Sequence, residues 1–166
     1  QKRNSGDEFV PMQKIVLDVL DTIEASAKRG SKVTGVPTGF IDLDEKLTGL
    51  HGSELILIAA RPAMGKTAFA LNIAQHAVMK AEVPCVVFSL EMSKEQLATR
   101  LIAMDSMVDS QAIRTGQLKD SDWDKLMDST YRVGSTNMFI DDTPGITIAE
   151  LRSKCRKLKQ TQDIGL

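Results

Sequence analysis

The chain has 166 residues, with 21 lysines and arginines against 22 aspartates and glutamates and a formal net charge of −1. That length suits one domain with a real core, and the near-neutral charge argues against a globally basic nucleic-acid binder and against an acidic disordered chain. Aromatic residues are only 4%, so aliphatic side chains must carry the packing. The two cysteines, Cys85 and Cys155, lie far apart without metal-ligand spacing, which fits a reducing, cytoplasmic setting. No apolar run of ~18 residues and no charged-apolar-small leader is visible, so neither a membrane span nor a signal peptide is expected.

Residues 1–8 read as a polar, flexible N-terminal tail. From Phe9, the 3- and 4-residue spacings of Phe9, Met12, Val16, Val19 and Ile23 predict an amphipathic helix to about Ala27. Gly30 would end it, after Lys28 and Arg29 in the last turn. Such a helix, set before the core's first strand, could dock on its own domain or on a neighbouring subunit. The glycines and proline between Val33 and Leu50 predict turn, short helix, turn. Asp42, Asp44 and Glu45 read as the solvated face of that helix rather than a metal site.

The next stretch, Leu55-Ile-Leu-Ile-Ala-Ala-Arg-Pro-Ala-Met-Gly-Lys-Thr67, passes into Ala68-Phe-Ala-Leu-Asn-Ile-Ala-Gln-His-Ala-Val-Met79. An apolar run of strand length enters a loop ending in Gly65-Lys66-Thr67, and Phe69, Ile73, Ala77 and Val78 recur at helical spacing. Strand, loop, helix is the setting of a phosphate-binding P-loop. A helix start leaves backbone N–H groups without intrahelical partners, and its dipole favours negative charge. The expected cradle is Arg61, Pro62, Ala63, Met64, Gly65, Lys66, Thr67 and Ala68, with main-chain donors from about Met64 to Ala68. Lys66 would sit on the β- and γ-phosphates of ATP and the Thr67 hydroxyl would ligate Mg²⁺. The usual pattern begins with glycine where this chain has Ala60, which is tolerable if that residue keeps negative φ. The competing reading is a chance Gly-Lys-Thr at an ordinary helix start.

Pro84 precedes Cys85-Val-Val-Phe-Ser-Leu90, an apolar run of the kind buried in a parallel sheet. Ser93 with Gln96 predicts a capping box, so a helix should begin at Ser93 and run through Leu97, Leu101 and Met104. Glu91 is left in the strand-to-helix turn. Ligands of open α/β sheets sit beyond the carboxyl ends of the strands, which puts Glu91 on the P-loop's edge. There it could orient a water towards the γ-phosphate, or simply be an exposed glutamate at a helix entry.

One short and one longer helix are expected from Asp109 to Tyr131, divided near Gly116 and restarted at Ser121, with Trp123, Leu126 and Met127 on the packing side. Asn137-Met-Phe-Ile-Asp-Asp142 is a short apolar run ending in aspartates, superficially like a Walker B strand. Thr147 and Glu150 form a second capping box opening a helix through Lys159. That helix carries Arg152, Lys154, Arg156, Lys157 and Lys159, a basic patch that meets phosphate, an acidic partner or only water. Asp163-Ile-Gly-Leu166 reads as the first residues of another buried strand.

In this order, Thr34-Gly-Val-Pro-Thr-Gly-Phe40, Ala60-Arg-Pro-Ala-Met-Gly-Lys-Thr67, Phe88-Ser-Leu-Glu-Met-Ser93 and Ile140-Asp-Asp-Thr-Pro144 resemble the bacterial replicative DNA helicases of the DnaB family, over nearly the whole chain. The resemblance implies an α/β fold in which residues 31–166 are a RecA-like P-loop ATPase domain, incomplete at its C-terminus. It implies a linker helix at 9–30 that packs on the adjacent subunit of a homohexamer. It assigns the catalytic glutamate to Glu91 with Lys66 and Thr67 on nucleotide and magnesium, and adds Arg100 from the same motif. It also implies an enzyme that unwinds forked DNA while moving on the single strand, with primase and a helicase loader as partners and no membrane. It removes Asp141 and Asp142 from the Walker B role, since that strand follows the Ile-Gly-Leu at the chain's end. The DNA-binding loops and arginine finger are expected beyond residue 166. Two other readings stand beside it: a RecA-like ATPase of recombinase or clock type, and a non-catalytic module whose helices bind a loader or another partner.

Overall fold

A computed structural model describes residues 9–30 and 32–166; the predicted tail over 1–8 lies outside the described residues. Seven helices and two strands follow in order among them: α1 (Met12–Arg29), α2 (Ile41–Leu47), α3 (Lys66–Met79), β1 (Cys85–Phe88), α4 (Lys94–Ser106), α5 (Ser110–Thr115), α6 (Asp120–Gly134), β2 (Met138–Asp141) and α7 (Ile148–Gln162). The predicted helix boundaries follow from local chemistry. Ser93 accepts from the Gln96 amide while Gln96 accepts from the Ser93 amide, and Thr147 and Glu150 do the same for α7. Gly30, in the left-handed region at φ 62°, closes α1.

β1 and β2 pair in parallel, from Cys85 opposite Met138 to Phe88 opposite Asp141, and α4, α5 and α6 make the crossover between them. On β1's other edge the Val86 amide donates to the Leu166 carbonyl at 3.0 Å, and Gly165 N–H to Pro84 O at 2.8 Å. The predicted third strand therefore begins at the chain's last residues. Leu71 on α3 and Leu97 and Leu101 on α4 are buried together against Val87, Met138, Ile140 and Val133. Ala74 and Val78 cover Cys85. α3, which starts in the glycine-rich loop, is thus clamped between sheet and α4.

Three expectations are corrected. The run at 55–60 is extended but carries no ladder hydrogen bond. It faces β1 across a cleft of about 860 Å³ lined by Ile56, Ile58, Val86, Phe88 and Leu166, so no strand lies within bonding reach. Its side chains still alternate as in a strand, Leu55 and Leu57 at 86% and 83% exposure against 46% and 38% for Ile56 and Ile58. Asp44 is buried rather than solvated, at 7% exposure. It accepts from the Thr38 amide and hydroxyl, each at 2.8 Å, and from the Gly39 amide at 3.1 Å. Trp123 is 54% exposed, because α6 packs on α4 through the stripe containing Leu126, Ser129 and Val133 and leaves Trp123, Met127 and Tyr131 outside.

The apolar residues of α1 and of the segment before it are covered by nothing described: Phe9, ahead of the helix, is fully exposed, and Met12, Val16, Leu17, Val19, Leu20 and Ile23 are all about half exposed or more. No described helix is long and apolar enough to cross a membrane.

Candidate nucleotide site

The loop at 60–68 reaches its shape through two left-handed residues. Gly65 caps α3 at φ 87°, and a side chain there would meet nothing within 4 Å, so glycine is needed for its backbone angle and not for room. Ala63 sits at φ 63°, a strained conformation for a residue with a Cβ. Ala60 keeps negative φ, which is why the missing first glycine costs nothing. Pro62 and Ala63 turn the chain so that the Met64 amide donates to Arg61 O at 3.3 Å. Met64, predicted as a phosphate donor, is therefore partly satisfied inside the loop.

No side chain caps α3, and the first bond into it is Phe69 N–H to Gly65 O at 2.9 Å. The amides of Lys66, Thr67 and Ala68 are left without described partners at a helix start, where three N–H groups and the dipole converge. Phe69 in the first turn stacks on Phe40, ring centroids 4.9 Å apart, and Gly39 presses on His76 one face along. A Cβ at Gly39 would lie 2.6 Å from the His76 ring. The turn held by Asp44 thereby fixes the helix that carries the loop.

Glu91 and Arg100 line the same cleft of about 430 Å³ as residues 60–68. A second cleft, of about 440 Å³, joins Glu91 to Lys66, Thr67 and Ser89. The turn bearing Glu91 is pinned on both sides. Ser89 N–H donates to Asp141 O at 2.9 Å, and the Ser89 hydroxyl donates to Met92 O at 2.7 Å and accepts from Met92 N–H at 3.2 Å. Glu91 itself is exposed and makes no hydrogen bond among the described residues, so the backbone alone aims it.

Asp141 and Asp142 line neither cleft. The Lys154 ammonium, then the Thr143 hydroxyl and amide, hold the Asp141 carboxyl down to about 2, while the Lys94 amide keeps Asp142 below its ordinary value. Both are occupied by this chain's own donors. Among the described residues no group of three or more His, Cys, Asp or Glu could hold a metal. Of the basic residues on α7, Lys154 is used on Asp141, and Lys159 on Asp163 and the Ile164 carbonyl. Sequence reasoning missed Ala63's conformation and the contacts of Ser89 and Asp142. Alanine gives no sequence signal of a left-handed conformation, and nothing in spacing signals a bond between residues 48 apart.

Comparisons with known proteins bear on the family and the fold. Residues 35–166 match the family described as the DnaB-like helicase C terminal domain. The chain is 41% identical over 165 residues to the replicative DNA helicase DnaC of Bacillus subtilis, covering 99% of this chain and 36% of that protein. It is 42% identical over 166 residues to the replicative DNA helicase DnaB of Geobacillus stearothermophilus, with 100% and 36% covered. Among solved structures it superposes on another protein's ATPase domain with a TM-score of 0.86 at 31% identity, over 93% of this chain and 54% of that one. It also matches a DnaB-like replicative helicase, from work on that protein's interactions with primase, at TM-score 0.79 and 31% identity over 96% and 38%. The chain spans about a third of the length of these curated relatives, 36% in both cases.

Proposed function

The chain belongs to the DnaB-like helicase C-terminal domain family, and on that premise we propose that it is the nucleotide-binding part of a replicative DNA helicase, a hexameric ring that hydrolyses ATP between subunits and moves along single-stranded DNA at the fork. In this reading residues 31–166 belong to the ATPase domain and 9–30 form the linker helix.

ATP is the substrate. Its β- and γ-phosphates lie at the start of α3, where the amides of Gly65 to Ala68 donate and the Lys66 ammonium balances charge. Those uncapped amides fit a polyphosphate. Mg²⁺ would be held by the Thr67 hydroxyl together with phosphate oxygens, as suits an ion that keeps several waters and needs few protein ligands, and would neutralise charge on the transferring group. Glu91 orients the attacking water and accepts its proton as the water oxygen bonds the γ-phosphorus and the bond from that phosphorus to the β–γ bridging oxygen breaks, releasing ADP. Arg100 faces the same cleft and stabilises charge on the phosphate oxygens. The observation that carries this reading is that one cleft gathers the loop at 60–68, Glu91 and Arg100, although these three segments are separated in sequence and must fold to come together.

The bare apolar face of α1 supports docking on a neighbouring copy, and primase is a proposed partner through parts of the parent protein outside this chain. The residues that follow Leu166 in the parent would extend along β1 into the 860 Å³ cleft and give the run at 55–60 its missing neighbour. Titration calorimetry with ATP and Mg²⁺ on this chain and its Lys66→Ala variant tests the site. Binding that disappears with Lys66 supports it, and equal binding by both would refute it. In the full-length protein, DNA-stimulated hydrolysis that survives Lys66→Ala would refute the placement of ATP hydrolysis at this loop.

A further inference from the structure

The end of β2 reaches across to the helix that follows Glu91. The Asp142 Oδ2 accepts from the Lys94 amide at 3.0 Å, a bond between residues 48 apart in sequence, and its Oδ1 lies 3.7 Å from Lys94 Nζ. Lys94 is the first residue of α4, immediately after the Ser93 cap. A helix start offers unsatisfied amides and a dipole that favours a carboxylate. Here one of those amides is taken by a distant strand, in addition to the local capping box. The Asp142 carboxyl is held below its ordinary value chiefly by that amide.

Glu91 therefore sits on a connection whose two ends are fastened to β2 and to the residue that follows it. At one end Ser89 N–H donates to Asp141 O; at the other, Lys94 N–H donates to Asp142. Between them Ser89 Oγ closes the turn on Met92. Glu91 has no bond of its own among the described residues, so where its carboxylate points depends on this frame. Asp141 is turned the other way, onto Lys154 of α7, and so secures the end of β2 itself.

We propose that Asp142 is a positioning residue for ATP hydrolysis: by holding the first amide of α4 it fixes the turn that aims Glu91 at the attacking water. This rests on the reading of Glu91 as the water-orienting carboxylate. Asp142 does not touch nucleotide, so its loss should slow the chemical step and leave binding alone. Displacing a reacting group by about 1 Å can cost on the order of 100-fold.

The test uses the full-length protein and the variants Asp142→Ala, Asp142→Asn, Ser89→Ala and Glu91→Gln. The measurements are kcat and KM for ATP, the Kd of a non-hydrolysable ATP analogue with Mg²⁺, and hydrogen exchange of the amides at 90–95. Asp142→Ala should lower kcat by about 10- to 100-fold, change KM and analogue Kd less than about 2-fold, and speed exchange in that segment. Asp142→Asn, whose amide oxygen still accepts from Lys94 N–H, should keep kcat within about 3-fold of the parent. Unchanged kcat in Asp142→Ala beside a dead Glu91→Gln overturns the proposal while leaving Glu91's role intact. An active Glu91→Gln overturns the underlying reading instead. Equal losses in Asp142→Ala and Asp142→Asn, or a raised KM at constant kcat, also overturn it. If Asp142→Ala does not fold, Ser89→Ala decides, since it opens the same turn from its other side: lowered kcat at constant KM sustains the frame, and unchanged kcat refutes it.

Discussion

Replacing Asp44 by alanine should unfold this chain far more easily than its place among acidic residues on a short helix suggests. The carboxylate is buried and accepts three hydrogen bonds, two from Thr38 and one from Gly39, and Thr38 is only 1% exposed. Removing it strands the buried Thr38 amide and hydroxyl away from water, while the amide of exposed Gly39 is left to solvent. Bonds to a charged acceptor contribute about 1.5–3 kcal/mol each, and an orphaned buried donor costs about 1–3 kcal/mol. The three share one carboxylate whose own desolvation is relieved by the change, so the net loss is about 3 kcal/mol. With a urea slope of about 2 kcal/mol/M, the midpoint should fall by about 1.5 M in a far-ultraviolet circular dichroism titration. The gap should also depend on pH. Burial raises the Asp44 carboxyl, but the Thr38 amide and hydroxyl, the Gly39 amide and the charge of His76 together outweigh it and leave it below the ordinary carboxylate value. A depressed folded value means the stabilisation is complete above the unfolded value of about 3.9 and drains away as pH falls through the folded one. The difference between parent and variant should therefore be full at pH 7 and smaller at pH 3. A midpoint within about 0.25 M of the parent at pH 7 would mean that the carboxylate is solvated after all.

Ser93→Ala removes the cap of α4 and should cost about 1 kcal/mol, read as a fall of about 2–4 °C in Tm; no fall would mean the capping box is ornamental. Burial pushes the Cys85 thiol up to about 11, so at pH 8 only about one molecule in a thousand carries its thiolate. Alkylation followed by peptide mapping should label half-buried Cys155 and spare Cys85, and equal labelling would show that β1 is open. Val16→Asp with Leu20→Asp on α1 should leave the chain's unfolding midpoint unchanged while shifting the parent protein to smaller assemblies in sedimentation; an unaltered ring would exclude α1 as its linker. Amides at 55–60 should exchange freely in this chain and become protected in one extended beyond Leu166, and exchange that stays fast in the longer chain would rule out the added strand.

Features set by neighbours in sequence were legible beforehand. Ser93 with Gln96 and Thr147 with Glu150 declare helix starts because their bonds span only three residues, and Gly65-Lys66-Thr67 declares a loop because only the backbone and the next helix are needed to shape it. What depended on distant partners was not. Asp44 looked solvated because helical spacing cannot show that Thr38 and Gly39 fold back over it. Trp123 looked buried because α6 offers two apolar stripes, and the choice between them is made by α4. The run at 55–60 has a strand's composition and alternation, but a strand also needs an edge to bond, and among the described residues β1's free edge has Gly165 and Leu166 against its start and no partner beyond them.

The same division runs through the candidate site. Its phosphate-binding part is contiguous: residues 60–68 and the first turn of α3, shaped by Ala63, Gly65 and the uncapped amides. The part proposed for hydrolysis is assembled across the sheet, because the turn bearing Glu91 is held through Ser89, Met92 and Lys94, of which Ser89 bonds β2 and Lys94 bonds the residue after it. Parallel pairing in register is what brings Asp141 O to Ser89, and the next residue, Asp142, then falls opposite the start of α4. Substitutions confined to the side chains of Ser89 and Asp142, which bond the turn and the start of α4 and not the loop at 60–68, should thus reach Glu91 before Lys66 or Thr67. On the proposed reading, affinity for nucleotide should therefore be separable from the rate of its hydrolysis: the local loop would set the first, and the bonds from the end of β2 to the turn at Glu91 would set the second.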